Sequence, residues 1–176
     1  LNAVLGMSSI LAGTGLTAEQ RDYVRTIRGS GDSLLALIND ILDFSKIEAG
    51  MLVIEAAPFS LRRCIDEAID LLAAEAEGKG LEIRCTIDPA VPRWIESDAT
   101  RLRQVLVNLL GNAVKFTAAG AVEVAVDISP STPGEEASEG VLELRFAVRD
   151  TGIGIAPERM DRLFRPFSQA DASTAR

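Results

Sequence analysis

NLLGNAVKFT at residues 108–117 and DTGIGI at residues 150–155 are the two segments from which the fold is predicted. The first lies in an apolar pattern of helical spacing that begins after Asp98, a residue type favoured at helix N-caps. The second directly follows a run of alternating apolar residues, which is typical of a half-buried strand. A helix and a strand in this order predict a helix-on-sheet sandwich of the α+β class.

Further elements complete this sandwich. Ser60 is expected to cap an amphipathic helix that runs to about Ala76, after a break at Pro58. The acidic segment 129–140 is interpreted as a solvated loop without a binding role, and it joins two strands that pair in the antiparallel sense. In chain order, the predicted strands are Met51–Glu55, Leu81–Ile87, Val122–Ile128 and Leu142–Val148.

The beginning of the chain has the pattern of a helical hairpin. Leu1–Leu11 has helical spacing and ends at the glycine-containing turn 13–15. Thr17 and Gln20 form a capping box for a second helix, which is expected to stop at Gly50. Two adjoining apolar seams run along this second helix. One seam consists of Tyr23, Ile27, Ser30, Leu34, Leu37, Ile41 and Phe44, and the other of Val24, Gly31, Leu35, Ile38 and Leu42.

The two seams make an apolar face that is too wide for one short helix to cover. We therefore expect a homodimer, in which the hairpin pairs with a second copy of the chain as a four-helix bundle. The alternative is that the long helix packs against its own domain. The change of pattern after the hairpin predicts two domains, residues 1–50 and residues 51–176.

The composition excludes several classes of function. The net charge is −8 and no run of Lys or Arg interleaves with aromatic residues, so a nucleic-acid surface is not expected. The absence of histidine excludes Ser-His-Asp and Cys-His catalysis, and Cys64 and Cys85 are expected to be reduced, half-buried thiols. No apolar run is long enough to span a membrane. We expect a cytoplasmic segment without direct membrane contact, whose parent protein could still be membrane-anchored.

The polar side chains of the predicted helix suit a magnesium-bound phosphate group. Asn108, Asn112 and Lys115 share one helix face because they are four and three residues apart. Amide oxygens suit Mg²⁺, which takes much of its charge neutralisation from phosphate oxygens, and Lys115 would meet phosphate as a point charge. The alternative is that both asparagines simply face solvent.

The segment after the last strand suits a purine base. The carboxylate of Asp150 accepts hydrogen bonds and cannot donate them, so it can hold the exocyclic amine of adenine and would reject the oxygen of guanine. Gly152 and Gly154, on either side of Ile153, allow a ligand to approach the backbone closely. Together with the asparagine helix, this segment predicts a site for ATP and Mg²⁺.

At this point the sequence resembles the kinase core of two-component sensor histidine kinases of the hybrid type, over nearly all 176 residues. Residues 108–117 resemble the N box, residues 150–155 the first glycine box, and LFRPFSQAD at residues 163–171 the F box. LNAV at residues 1–4 resembles the segment just after the phospho-accepting histidine, and DFSKIEAG at residues 43–50 the end of the second dimerisation helix.

The resemblance implies a Bergerat-type (GHKL) ATP-binding α/β sandwich after the dimerisation hairpin. It implies transfer of the ATP γ-phosphoryl group to a histidine and then to an aspartate of a receiver domain, in cis or in trans. The acceptor histidine would precede Leu1, and the second glycine-rich box would follow Arg176. We therefore interpret the chain as a piece of a longer protein, with a phosphotransfer hairpin that lacks its histidine and a catalytic domain that lacks its C-terminal lid and last helix.

The resemblance also implies roles for single residues. Asn112 would ligate Mg²⁺, with Asn108 beside it at the phosphates and Lys115 at a phosphate, and these three would be the catalytic residues. Phe164 and Phe167 would anchor the ATP lid, although they could instead be ordinary core aromatics. The implied ATP-binding set is Asn108, Asn112, Lys115, Phe116, Asp150, Gly152, Ile153, Gly154, Phe164 and Phe167.

Asn108 separates this chain from the hydrolytic members of the wider ATPase superfamily. The gyrase-like and chaperone-like relatives carry a glutamate at this position, where it activates water. Asparagine is no base at neutral pH, so phosphoryl transfer is expected rather than hydrolysis. The alternatives are a dimerisation and signalling pseudokinase with a degenerate ATP site, and an ATPase of the gyrase or chaperone type.

Overall fold

The computed structural model describes residues 1–129 and 141–160, which belong to two compact units. The first unit is Leu1–Ile54, and the second begins at Glu55. Residues 130–140 of the predicted loop 129–140, and the F-box residues Phe164 and Phe167, lie outside the described part of the chain.

The first unit is the predicted helical hairpin. Helix α1 is Asn2–Ala12 and helix α2 is Ala18–Glu48. The predicted capping box is confirmed, since the backbone N–H of Gln20 donates to Thr17 Oγ1 at 3.2 Å and that of Thr17 donates to Gln20 Oε1 at 3.0 Å. The start of α2 therefore follows from local sequence.

Only part of the apolar surface of α2 is covered within this unit. Val24 and Gly31 are buried, and a Cβ at Gly31 would lie 2.5 Å from Leu5 Cδ2, so glycine lets the two helices approach closely. Because α1 has 11 residues and α2 has 31, the other apolar side chains of α2 stay largely uncovered. The exposed ones include Tyr23, Ile27, Leu34, Leu37, Ile38, Ile41, Leu42, Phe44 and Ile47.

The second unit combines the two long helices α3 (Leu61–Gly78) and α4 (Ala99–Phe116) with a mixed three-stranded sheet. Strand β2 (Glu82–Ile87) pairs with β4 (Ala121–Ile128) in parallel, and β5 (Leu144–Asp150) pairs with β4 antiparallel. Strands β1 (Ala57–Ser60) and β3 (Trp94–Ser97) form a separate antiparallel ribbon. The antiparallel pair and the α+β class are as predicted. In chain order the elements are β1 (Ala57–Ser60), α3 (Leu61–Gly78), β2 (Glu82–Ile87), β3 (Trp94–Ser97), α4 (Ala99–Phe116), β4 (Ala121–Ile128), β5 (Leu144–Asp150) and α5 (Pro157–Met160).

The core of this unit lies between α3, α4 and the central strand. Each fully buried Leu, Ile or Val stabilises the fold by about 1.5–3 kcal/mol relative to exposure, so this layer dominates the energetics. Cys64 is buried and Cys85 half-buried, both are free, and burial raises the pKa of each thiol. The best-buried side chains are Leu61, Ile65, Leu106, Leu110, Val114, Val122, Val124 and Val126.

Three strand predictions need correction. Residues 51–56 form no strand, and β1 begins at Ala57 and includes Pro58. Proline is tolerated there because a two-stranded ribbon has only edge strands. Strand β3 was not predicted, since its four residues give too short an alternation. The last strand begins at Leu144 rather than Leu142, which is exposed.

Among residues 1–129 and 141–160, no helix combines the length and the apolar character needed to cross a membrane.

Candidate functional site

Helix α4 is held at its start by a buried carboxylate. Asp98 Oδ1 accepts the backbone N–H of Arg101 at 3.0 Å, and Oδ2 accepts that of Glu55 at 3.2 Å. The hydrogen bond from Arg101, reinforced by that from Glu55, lowers the pKa of Asp98. The predicted N-cap is confirmed, and it fixes the residue at which α4 begins.

The predicted polar residues lie on the outer face of α4. Asn108, Asn112 and Lys115 are exposed, while Leu110 and Val114 on the other side are buried in the core. Seven residues of helix place Asn108 and Lys115 about 10 Å apart along the axis. Lys115 Nζ lies 5.2 Å from the ring centroid of Phe116, a cation–π contact at the end of the helix.

The loop after β5 is seated on the last turn of α4. Asp150 is the final residue of β5, and the backbone N–H of Ile153 donates to Phe116 O at 3.3 Å. The N–H of Gly152 donates to Asp150 Oδ1 at 2.9 Å. The structure thus brings the glycine loop and the C-terminal end of the asparagine helix together.

The two glycines have different structural roles, and neither role is the ligand contact expected from the sequence. A Cβ at Gly152 would lie 2.4 Å from Phe116 O, so the close approach is to the protein's own backbone rather than to a ligand. Gly154 has open space around it and a φ of 67°, a left-handed conformation that favours glycine. Apart from those of its chain neighbours, no described atom would lie within 4 Å of a Cβ at Gly154, so only its torsion favours glycine.

Thr151 is a residue of this site that the sequence reasoning missed. Its backbone N–H donates to Ala121 O at 3.2 Å, and its Oγ1 accepts the N–H of Ala121 at 3.1 Å. These bonds tie the loop to the start of β4, where Gly120 has a φ of 117° and no room for a Cβ beside Thr151 Oγ1. Thr151 and Ala121 are far apart in sequence, so no local sequence pattern predicts that they pair.

The donor set fits Mg²⁺ that arrives with phosphate. Within the described residues, no cluster of three Asp, Glu, Cys or His side chains could hold a metal by itself. Two amide side chains and a lysine on α4 provide oxygen ligands and one positive charge instead. Asp150 is exposed, and its Oδ2 makes no hydrogen bond to a described residue, which leaves that oxygen for a donor on a ligand.

Comparison with protein families finds two matches along the chain. Residues 97–176 match the family described as histidine kinase-, DNA gyrase B- and HSP90-like ATPase. Residues 1–50 match the His Kinase A (phospho-acceptor) domain. The two matches cover the hairpin and most of the second unit, including the site.

The chain is similar to curated proteins over its whole length. It is 45% identical over 176 residues to hybrid signal transduction histidine kinase A of Dictyostelium discoideum, of which it spans 8%. It is 44% identical over 176 residues to signal transduction histidine-protein kinase BarA of Escherichia coli (strain K12), of which it spans 18%. The chain therefore spans less than a fifth of the length of either relative.

A solved structure is similar to nearly the whole chain. The crystal structure of full-length ShkA in complex with AMPPNP matches 97% of this chain and 34% of that one, with a TM-score of 0.75 and 40% sequence identity.

Proposed function

The chain belongs to the histidine kinases of two-component systems, and on that premise we propose that it is the core of an ATP-dependent protein histidine kinase. In this proposal, the γ-phosphoryl group of ATP passes to a histidine and then to an aspartate of a receiver domain, in cis or in trans. We further propose that the protein acts in the cytoplasm.

One observation carries this proposal: the loop after β5 is hydrogen-bonded to the last turn of α4, and the free oxygen of Asp150 lies where that loop begins. A carboxylate oxygen without a protein donor suits the amine of adenine. Phe116 would line the pocket for the base. The exposed backbone at Ile153 and Gly154 would lie against it.

The phosphate end of the site is assigned to the outer face of α4. Asn112 would ligate Mg²⁺, Asn108 would lie beside it at the phosphates, and Lys115 would meet a phosphate oxygen. When bound, Mg²⁺ supplies charge neutralisation at the phosphates. Phe164 and Phe167 stay in the proposal as residues that anchor a lid.

Transfer to a protein is favoured over hydrolysis by the composition of α4. Ala99–Phe116 contains no Asp or Glu, so this helix supplies no carboxylate that could activate water. With Asn108 in the position of the general base, the residues on α4 bind and orient phosphate but do not deprotonate a nucleophile. The pseudokinase alternative gains no support, since Asn112 and Asp150 are both exposed as ligand binding requires.

The second part of the proposal concerns the helical hairpin and dimerisation. Residues 1–50 would be the dimerisation and histidine phosphotransfer hairpin, and residues 51–176 the catalytic ATP-binding domain. The uncovered seam of α2 supports a homodimer, because Leu34, Leu37 and Ile41 are 48%, 59% and 56% exposed. A receiver domain would be the partner that accepts the phosphoryl group.

The test is ADP binding to the full-length protein with Asp150→Asn, measured by titration calorimetry with Mg²⁺ present. Asparagine keeps an acceptor for the N–H of Gly152 but replaces the second oxygen by a donor that opposes the adenine amine. We expect affinity to fall about 10- to 150-fold, the loss of one hydrogen bond to a charged group. Glu143→Gln, which neutralises an exposed carboxylate before β5, is the matched control. Equal affinity in wild type and Asp150→Asn would contradict the adenine assignment.

A further inference from the structure

Lys79 links the C-terminal ends of α3 and α4. It is the C-cap residue of α3, and its Nζ donates to Val114 O at 2.8 Å and to Lys115 O at 3.4 Å. These carbonyls lie in the last turn of α4, where oxygens lack partners within the helix and the helix dipole is negative. The ammonium group of Lys79 donates hydrogen bonds to these carbonyls, and its positive charge is favourable at the negative end of the dipole.

The backbone at Lys79 is fixed, so its side chain starts from a defined position. The N–H of Gly80 donates to Glu77 O and that of Leu81 donates to Ala76 O, each at 2.9 Å. With Gly80 at a φ of 65°, these two bonds form a Schellman motif. Glu75 Oε1 lies 3.4 Å from Lys79 Nζ and holds the ammonium group from its own helix.

The turn that Lys79 caps carries three parts of the proposed nucleotide site. It bears the side chains of Lys115 and Phe116, and Phe116 O receives the N–H of Ile153 from the glycine loop. A displacement of this turn would therefore move the phosphate contact, the wall of the base pocket and the loop that carries Asp150. No other described side chain donates a hydrogen bond to the carbonyls of Val114 and Lys115.

We infer that Lys79 is a positioning residue of the nucleotide site, which sets the last turn of α4 against the glycine loop without touching the nucleotide. This inference rests on the proposed function, since it assumes that α4 and the loop after β5 hold ATP. Lys79 acts through backbone carbonyls, so its loss weakens ground-state and transition-state binding together.

The test compares three variants of the full-length protein by ADP titration with Mg²⁺. Lys79→Met keeps the length of the side chain and removes the ammonium group, and we expect about tenfold weaker binding. Glu75→Gln removes the ion pair but leaves both carbonyl contacts, so binding should stay at the wild-type level. Lys79→Arg restores a cationic donor and should recover most of the affinity.

Autophosphorylation kinetics separate positioning from loss of folded protein. Positioning predicts that Lys79→Met raises the KM for ATP at unchanged kcat, whereas a reduced folded fraction lowers kcat at unchanged KM. Should the methionine variant be insoluble, Lys79→Gln removes the positive charge and shortens the side chain by one atom, and its KM and kcat are compared in the same way.

The outcomes distinguish failure of the positioning role of Lys79 from failure of the proposed function. Wild-type KM and ADP affinity in Lys79→Met, or a fall in kcat alone, overturns the positioning role while the nucleotide site stands. A wild-type protein that binds no ADP, with Asp150→Asn indistinguishable from it, overturns the proposed function itself.

Discussion

Gly152 and Gly154 are two residues apart, yet a methyl group has different consequences at each. At Gly152 the methyl group meets the carbonyl of Phe116, which is backbone and cannot rotate away. At Gly154 it meets open space, and only the left-handed conformation resists it. Substitution is limited by packing at Gly152 and by the backbone torsion at Gly154.

Gly152→Ala should therefore separate the loop from α4, whereas Gly154→Ala should leave it docked. We expect Gly152→Ala to lower the free energy of unfolding by about 1–3 kcal/mol, as overpacking does, and to weaken ADP binding as well. Gly154→Ala should cost about 1–2 kcal/mol of backbone strain and keep the hydrogen bond from the Ile153 N–H to Phe116 O. Urea denaturation and amide hydrogen exchange at Ile153 in both variants check this. Faster exchange of the Ile153 amide in both variants would contradict the distinction.

The structural role of some single residues can be predicted from the sequence, and that of others cannot. Asp150 was predicted at the end of its strand, because alternation in residues before it is a local signal. Thr151 and Lys79 were missed, since their partners Ala121 and Val114 lie far along the chain. The sequence thus indicates which side chains could meet a ligand, but not which residues hold them in place.

At the scale of elements, helix starts were predictable and short strands were not. Thr17, Ser60 and Asp98 each cap a helix through a neighbour three residues on, so the signal is local. Strands β1 and β3 have four residues each and pair only with one another. Their existence depends on a contact across α3 and β2, which periodicity does not encode.

The start of α4 should respond to acid through Asp98. Its pKa is lowered from the ordinary 3.8, mainly by the N–H of Arg101, so the ionised form is favoured in the folded state. The stabilisation is complete well above pH 3.8 and is lost as pH falls through the lower, folded-state pKa. Asp98→Asn still caps the helix but cannot titrate. We expect its stability disadvantage to be largest near neutral pH and to shrink below pH 3.8 in urea titrations. A disadvantage that stays constant into acid would contradict this role.

At the scale of the whole molecule, the uncovered seam of α2 predicts the oligomeric state. Leu34→Asp with Leu37→Asp places two charges where the second copy should pack, and the dimer should become a monomer in light scattering. The matched control is Ala36→Asp with Asn39→Asp, which adds two charges at exposed positions on the opposite side of the helix. An unchanged dimer in the leucine variant, or dissociation in both, would refute the bundle.

The parallel pairing of β2 with β4 has a consequence for how the chain folds during synthesis. Residues 82–87 pair with residues 121–126, which are synthesised later. The β2–β4 pair therefore cannot form until the whole of α4 has left the ribosome. The contacts between α1 and α2 lie within residues 1–54, so the helical hairpin can form while later residues are still being added. Strand β5 is synthesised after β4, with which it pairs, and Asp150 lies opposite Val122. The chain therefore completes its dimerising element well before it can hold a nucleotide.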